Sequence, residues 1–329
     1  MNWNPGWLPM QAPMHYVGPG PVTGMAGLLS NPCTGLFIRL QIILVCVIFS
    51  SCSYRFYSTG CETPVPGNLV KYSSLDSSLA ETSGLLYMEG DIWTFNDSGG
   101  EAALYCFDQG NGSVIRKTII SNATNTDWED IAMDDHYIYV ADVGNNFATR
   151  DTLAIYRIQK SSVLSGNPTV DHNGIISLSF DEQVVRNRRG FSSHDCEALF
   201  AHGDSLYLFS KNWVDESTSV YVIPSIPGHY HVTRRYRYEA RILVTGADLF
   251  PDKNQVAIVG YRNYLPIVII YGYANDPGNI ECGGLARIYP LRGGRQVEGI
   301  CFDPEGGIFI SSEASLQNQT LFKLGRSLR

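Results

Sequence analysis

The sequence predicts an all-β fold, a five-bladed β-propeller, and three observations carry that prediction. A short phrase recurs: a small or acidic residue, one variable residue, then an aliphatic that opens a β-type run. Its copies are Ser83-Gly84-Leu85, Glu129-Asp130-Ile131, Glu197-Ala198-Leu199, Ala247-Asp248-Leu249 and Glu298-Gly299-Ile300. The spacing, roughly 50 residues, is that of a blade-type repeat. The composition agrees: 32 Gly, 16 Pro, 12% aromatic and only 17% charged residues describe a turn-rich β protein, not disorder or coiled coil.

The elements follow in chain order. Residues 1–24 are rich in Gly, Pro and Met without periodicity. They read as a disordered stretch, or as an extension upstream of a start at Met25. Arg39 then precedes the apolar run Leu40 to Phe49, too short to span a bilayer comfortably but suited to a signal-peptide core. Phe49-Ser50-Ser51-Cys52 resembles a bacterial lipobox, which implies cleavage before Cys52 and lipidation there. The alternatives are an uncleaved anchor or a plain signal peptide. The expected organisation is therefore 1–51 extension and lipoprotein signal, 52–67 tether and 68–329 propeller. The expected location is the cell envelope, with the membrane reached through a lipid on Cys52.

Blade one reads Gly84 to Met88, Asp91 to Phe95, Ala103 to Phe107 and Val114 to Ile120. Blade two reads Asp130 to Met133, His136 to Ala141, Leu153 to Ile158 and Ile175 to Phe180. Blade three reads Glu197 to Ala201, Ser205 to Ser210, Ser219 to Ile223 and Tyr236 to Leu243. Blade four reads Ala247 to Phe250, Gln255 to Gly260, Ile267 to Tyr273 and Ala286 to Pro290. Blade five offers only Gly299 to Phe302, Gly307 to Ser311 and Thr320 to Leu324, and Asn68 to Leu75 is the natural donor of its missing strand. Closure by both termini removes open edges. Six blades would require splitting the repeat from Glu129 to Cys196, which holds no further phrase. Cys106, Cys196 and Cys301 fall inside strands, where cysteine acts as a small hydrophobe. No Cys-x-x-Cys zinc spacing is present.

The first strand of each blade lines the axis, so Ser83, Glu129, Glu197, Ala247 and Glu298 are expected to face one another. Glutamates in one narrow channel must be protonated, paired or metal-bound. A hard cation with oxygen ligands fits, and Ca²⁺ tolerates irregular geometry better than Mg²⁺. The expected metal ligands are Ser83, Glu129, Glu197 and Glu298. The bland reading is an empty channel whose glutamates bond amides and water. The ends of the second strands add Asp97, Asp142, Lys211, Arg262 and Glu313. Lys211 and Arg262 can hold an anionic small molecule, and Asp97, Asp142 and Glu313 can orient water or a second cation. Turn chemistry explains each residue singly. His194 is a further acid–base candidate at the mouth. Trp128 and Trp213 offer a stacking wall or simply packing.

Two resemblances carry the reading further. Trp93-Thr94-Phe95-Asn96-Asp97-Ser98-Gly99-Gly100-Glu101, Thr126-Asp127-Trp128-Glu129-Asp130-Ile131-Ala132 and Tyr139-Val140-Ala141-Asp142-Val143-Gly144-Asn145-Asn146 resemble exported propeller lipoproteins of Bacteroidetes-type bacteria. That likeness implies fold and location. More distantly, the order Ser83, Glu129, Glu197, Ala247, Glu298 is similar to soluble calcium-activated nucleotidases (apyrases), five-bladed propellers whose first strands carry Ser, Glu, Glu, Ser, Glu around an axial Ca²⁺. Ala247 departs from that pattern, and the nucleotide-contacting loops do not match.

The function classes narrow accordingly. A formal charge of −8, with Arg186-Asn187-Arg188-Arg189 and Arg234-Arg235-Tyr236-Arg237 as the short basic runs, argues against nucleic acid. No Gly-x-Ser-x-Gly elbow, phosphate-binding loop or His-Glu-x-x-His occurs. Three readings remain: a monomeric binding module with an axial Ca²⁺, a Ca²⁺-dependent hydrolase of an anionic (phospho)ester, and a glycan-acting propeller using paired carboxylates.

Overall fold

Most strands pair with their sequence neighbours, and that local pairing builds the body of each blade. The computed structural model describes residues 62–64, 68–166, 174–280, 286–290, 296–314 and 317–325. The proposed signal segment, Cys52, Cys61 and Cys282 lie outside the described residues. Blade one is an antiparallel meander of β3 (Thr82–Met88), β4 (Asp91–Asn96), β5 (Ala103–Phe107) and β6 (Val114–Ile119). Blade two comprises β7 (Trp128–Met133), β8 (Tyr137–Asp142), β9 (Leu153–Gln159) and β10 (Ile175–Phe180), with a short helix α1 (Lys160–Leu164) before the last strand. Blade three comprises β11 (Asp195–His202), β12 (Ser205–Lys211), β13 (Thr218–Pro224) and β15 (Tyr236–Tyr238). Blade four comprises β16 (Leu243–Phe250), β17 (Gln255–Arg262), β18 (Leu265–Gly272) and β19 (Ala286–Pro290).

Blade five closes as expected. Its own strands are β20 (Val297–Phe302), β21 (Ile308–Ser312) and β22 (Thr320–Gly325), and β2 (Asn68–Ser74) pairs antiparallel to β22 on the outside. Two additions were not legible in the sequence. Within the stretch read as a tether, β1 (Glu62–Pro64) runs parallel to β19 on the edge of blade four. β14 (Gly228–Val232) leaves blade three between β13 and β15 and runs parallel to β10 on the edge of blade two. Among the described residues no helix is long and apolar enough to cross a membrane.

The core is divided into separate packets, one between each pair of neighbouring blades. Period-2 alternation produces this division, because successive side chains leave opposite faces of a strand. In β8, Ile138 and Val140 pack towards Leu86 and Met88 of blade one, while Tyr139 and Ala141 pack towards Leu199 and Leu208 of blade three. In β17, Val256 and Ile258 join blade three, and Ala257 and Val259 join blade five. Strands buried on both faces must be apolar throughout, which explains runs such as Gln255-Val256-Ala257-Ile258-Val259. Trp128 is fully buried, edge-on to Phe95 at 5.5 Å, and belongs to this packing, not to a ligand wall. Cys106, Cys196 and Cys301 are buried free thiols in the same packets.

One backbone device recurs in every inner strand. The ladder to the second strand gains one extra residue, a β-bulge, near Ser83, at Glu129, at Glu197, at Thr245 and near Glu298. The fourth bulge corrects the sequence reading. Ala247 is not the fourth ring position; it pairs with Ile258, just as Ile131 pairs with Val140 and Leu199 with Leu208. Thr245 holds the ring position. Its hydroxyl donates to the Val297 carbonyl at 2.8 Å, as the Ser83 hydroxyl donates to the Glu129 carbonyl at 2.7 Å. The phrase read at Ala247-Asp248-Leu249 therefore lies two residues past the ring, and Asp248 has another task. It serves the other end of the strand, where its carboxylate accepts the Phe302 amide at 2.7 Å.

Candidate cation site at the axial mouth

Antiparallel pairing brings the start of each first strand beside the end of the second. Thr82 faces Asn96, Trp128 faces Asp142, Asp195 faces Lys211, Leu243 faces Tyr261 and Val297 faces Ser312. The two rings expected from the sequence therefore share one mouth. On its blade one and two side Asp97, Asp127 and Glu129 bring one carboxylate oxygen each within 4.8 Å of one another. Gly144 floors this cluster. A Cβ there would lie 2.1 Å from Glu129 Oε1 and 2.3 Å from Asp127 Oδ2, so the carboxylates occupy space that only glycine leaves open.

The surroundings are acidic. Burial, and then Glu197 and Asp97, push the Glu129 carboxyl well above its ordinary value. Burial and Asp127 raise Asp97 to about 7. Burial and Asp195 raise Asp127 to about 6, with Arg150 opposing. Across the mouth, burial raises Glu298 to about 7 although Lys211 and a bond to Gln296 oppose it. Glu298 Oε1 is buried and has no hydrogen-bond partner. Glu313 is raised to about 9 by burial, Glu298 and Asp97.

The basic residues are committed elsewhere. Lys211 is buried and pairs with Glu197 at 3.0 Å, with its ammonium over the Trp213 and Tyr261 rings at 5.0 and 5.6 Å. Burial opposes its charge, but Glu197 and the further acidic groups outweigh this and hold it protonated. Asp142 pairs with Arg150 at 2.7 Å and accepts the Asp127 amide at 3.1 Å. Arg262 pairs with Glu216 of the blade-three loop at 3.1 Å, half-exposed. The structure thus joins Asp97, Glu129, Glu197, Glu298, Glu313 and Lys211 in one electrostatic unit. It sets Asp142 behind that unit as a positioner and leaves Arg262 on the rim.

Sequence reading missed Asp127, Arg150 and Thr245, and noted Asp195 only as the neighbour of His194 ahead of a ring glutamate. A signal existed for both aspartates, since Asp127-Trp128-Glu129 and Asp195-Cys196-Glu197 place carboxylates two residues apart on an extended strand. Each oxygen of Asp195 is engaged, one accepting the Asn145 amide at 2.8 Å and the other the Trp213 indole N–H at 2.7 Å. Thr245-Gly246-Ala247 also matches Ser83-Gly84-Leu85 more closely than does Ala247-Asp248-Leu249. His194 does not reach the axis; it is buried beside Ser193 and Glu182 between blades two and three.

Fold and site define a five-bladed propeller with an acidic axial mouth. No family model matches the chain, and no curated protein matches it either. Similar solved structures include a Trichoderma reesei carbohydrate-active enzyme of family AA12, 11% identical over 79% of this chain and 98% of that one, TM-score 0.43. A PQQ-bound aldose sugar dehydrogenase from Streptomyces coelicolor is 13% identical over 79% and 98%, TM-score 0.44. A calcium-binding protein, regucalcin, from Agrobacterium tumefaciens is 13% identical over 80% and 94%, TM-score 0.41. Likeness this distant carries no argument about activity, and the comparisons add no support to the lipoprotein or apyrase resemblance.

Proposed function

We propose that this chain is an exported, lipid-anchored propeller that binds Ca²⁺ at its axial mouth and acts as a ligand- or partner-binding module. The observation that carries the reading is the clustering of the Asp97, Asp127 and Glu129 carboxylates above Gly144. The donor set fits: these are hard oxygen ligands in an irregular array, which suits Ca²⁺. The unpartnered Glu298 Oε1 nearby is a buried oxygen in want of a donor or a cation. Lys211 already neutralises Glu197, so the free negative charge lies on the blade one and two side. The ion would offer its open positions to an incoming oxygen ligand.

Calorimetric titration of Ca²⁺ into the chelator-treated full chain tests this. The expected result is a single site in the wild type, weakened at least about tenfold, or about 1.4 kcal/mol, in Glu129→Gln. A folded wild type that takes up no Ca²⁺ overturns the reading. For the anchor, mass spectrometry of membrane-extracted protein should find an acylated N-terminal Cys52, and Cys52→Ala should release the protein from the membrane fraction.

A second reading, a Ca²⁺-dependent hydrolase of an anionic ester, is favoured by one observation. Burial, Glu298 and Asp97 raise the Glu313 carboxyl to about 9 in the ion-free chain, so it would serve as the acid for a leaving group only if it keeps its proton when Ca²⁺ is bound. Lys211 and Arg262 each have a carboxylate partner, so they are not spare anion anchors. Turnover of p-nitrophenyl phosphate or a nucleoside diphosphate that requires Ca²⁺ and disappears in Glu313→Gln would select this reading over the binding module.

A further inference from the structure

The loop between β10 and β11 builds a second polar constellation away from the axis. It encloses a cavity of about 290 Å³ between blades two and three, lined by Glu182, Ser193, His194, Asn212, Tyr221 and Arg234 among others. The parallel strand β14 explains its construction. Running beside β10, it delivers the Arg234 amide to Glu182 Oε1. The other oxygen, Glu182 Oε2, is buried without a hydrogen-bond partner and faces His194 Nε2 at 3.9 Å. On the opposite edge of the same imidazole, Nδ1 lies 3.0 Å from the Ser193 hydroxyl. The Val185 amide donates to Ser193 Oγ at 3.1 Å, which leaves the hydroxyl proton for His194. Phe180 packs on the ring at 5.3 Å and fixes its plane.

We propose that Ser193 is a nucleophile for small carboxylic esters, with His194 as its general base and Glu182 as a residue that positions the ring. A serine is a weak nucleophile until a base within hydrogen-bond reach takes its proton, and a third group commonly orients that base. The serine and its base are within hydrogen-bond reach at 3.0 Å, the Glu182 carboxylate stands 3.9 Å from the far edge of the ring, a short approach from bonding it, and the half-buried Ser193 borders a cavity near the lower end of the usual size for small-molecule sites. Burial holds the His194 value below its ordinary level although Glu182 opposes this, so the ring is neutral and able to accept a proton near pH 7. Ser193 Oγ attacks the ester carbonyl carbon while its proton passes to His194 Nδ1. The imidazolium then presents Nε2–H to Glu182. The carbon–oxygen bond to the alcohol breaks, and His194 returns the proton to the departing oxygen. Water, deprotonated by His194, attacks the acyl-serine, releasing the acid and restoring the hydroxyl.

The inference is independent of the axial ion, because none of the mouth carboxylates bears on His194. Its test is labelling of the full chain with a fluorophosphonate probe in the presence of chelator, read by peptide mass spectrometry. The expected adduct is on Ser193, absent in Ser193→Ala, and slowed about hundredfold in His194→Gln. In Glu182→Gln the rate should persist, but its pH inflection should move down because the carboxylate that favours the imidazolium is gone. A structural role for Glu182 would leave that inflection in place. Wild-type protein with a native circular dichroism spectrum that is not labelled, or labelling that survives Ser193→Ala, overturns the proposal.

Discussion

Single carboxylates in this protein do two different jobs, and burial alone does not tell them apart. Asp130 is fully buried in the channel. It accepts amides from Leu199 at 2.7 Å and Ala247 at 3.3 Å, tying blade two to blades three and four, and also accepts Ile131 at 2.8 Å. Asp130→Ala orphans the two interblade amides, Leu199 and Ala247, at about 1–3 kcal/mol each, so urea unfolding should show a loss of about 2–6 kcal/mol. Asp97, Asp127, Glu129 and Glu298 lack such a complement of amides, and the proposed cation would offset their charge. Their titration gives a signed prediction. Folded-state values above the ordinary ones mean that the folded, ion-free chain holds protons that the unfolded chain has lost. Stability without the ion should therefore fall as pH rises from near 4 through about 7, with Glu313 extending the fall towards about 9. Thermal melts in chelator should give a higher Tm at pH 5 than at pH 8. Added Ca²⁺, which displaces those protons, should raise Tm more at pH 8. A pH-independent response to Ca²⁺ would count against these residues as its ligands.

At the scale of the element, the repeated bulge is the unit that positions the mouth. It turns the ring residue inward and, in blades one, four and five, lets the glycine that follows it meet the next blade. A Cβ on Gly299 would lie 2.3 Å from the Ser83 carbonyl oxygen, and one on Gly246 would lie 2.5 Å from the Glu298 carbonyl oxygen. Backbone oxygens of a neighbouring inner strand cannot step aside as a flexible side chain can. Gly299→Ala should cost about 1–3 kcal/mol in chemical denaturation and, by spreading blades five and one, should weaken Ca²⁺ binding as well. An alanine at Gly90, whose surroundings are open, controls for added volume, although its positive φ of 93° carries a backbone cost. The β14 excursion is the second functional element. It completes the edge of blade two and seats Arg234 against Glu182, so it builds the Ser193 cavity from residues distant in sequence.

For the whole molecule, ring closure rests on β2. Its ladder to β22, from Asn68 opposite Gly325 to Ser74 opposite Thr320, covers an edge that would otherwise be open. A chain that begins at Ser77 should lose cooperative unfolding and aggregate on size-exclusion chromatography, whereas one that begins at Gly67 and lacks β1 should stay monodisperse. The five repeats, their strand content, closure by the N-terminal strand and the acidic inner ring were legible in the amino-acid sequence, because each is written in local pattern: period-2 alternation, turn residues and a recurring phrase. Three things were decided by tertiary structure. The fourth ring residue is Thr245, not Ala247, because ladder register and not the small-x-aliphatic phrase sets the bulge. Lys211 and Arg262 are carboxylate partners, since charge in a crowded mouth pairs with the nearest opposite charge, and sequence does not encode that distance. Asp127 joins Asp97, and Glu182 joins His194, through contacts between blades or between edge strands. Periodicity in the chain alone thus determined the inner strands and most of the residues that line the axis; the ring residue of blade four, and which side chains meet, were decided by ladder register and ring closure, because packing fixes distances that sequence separation leaves open.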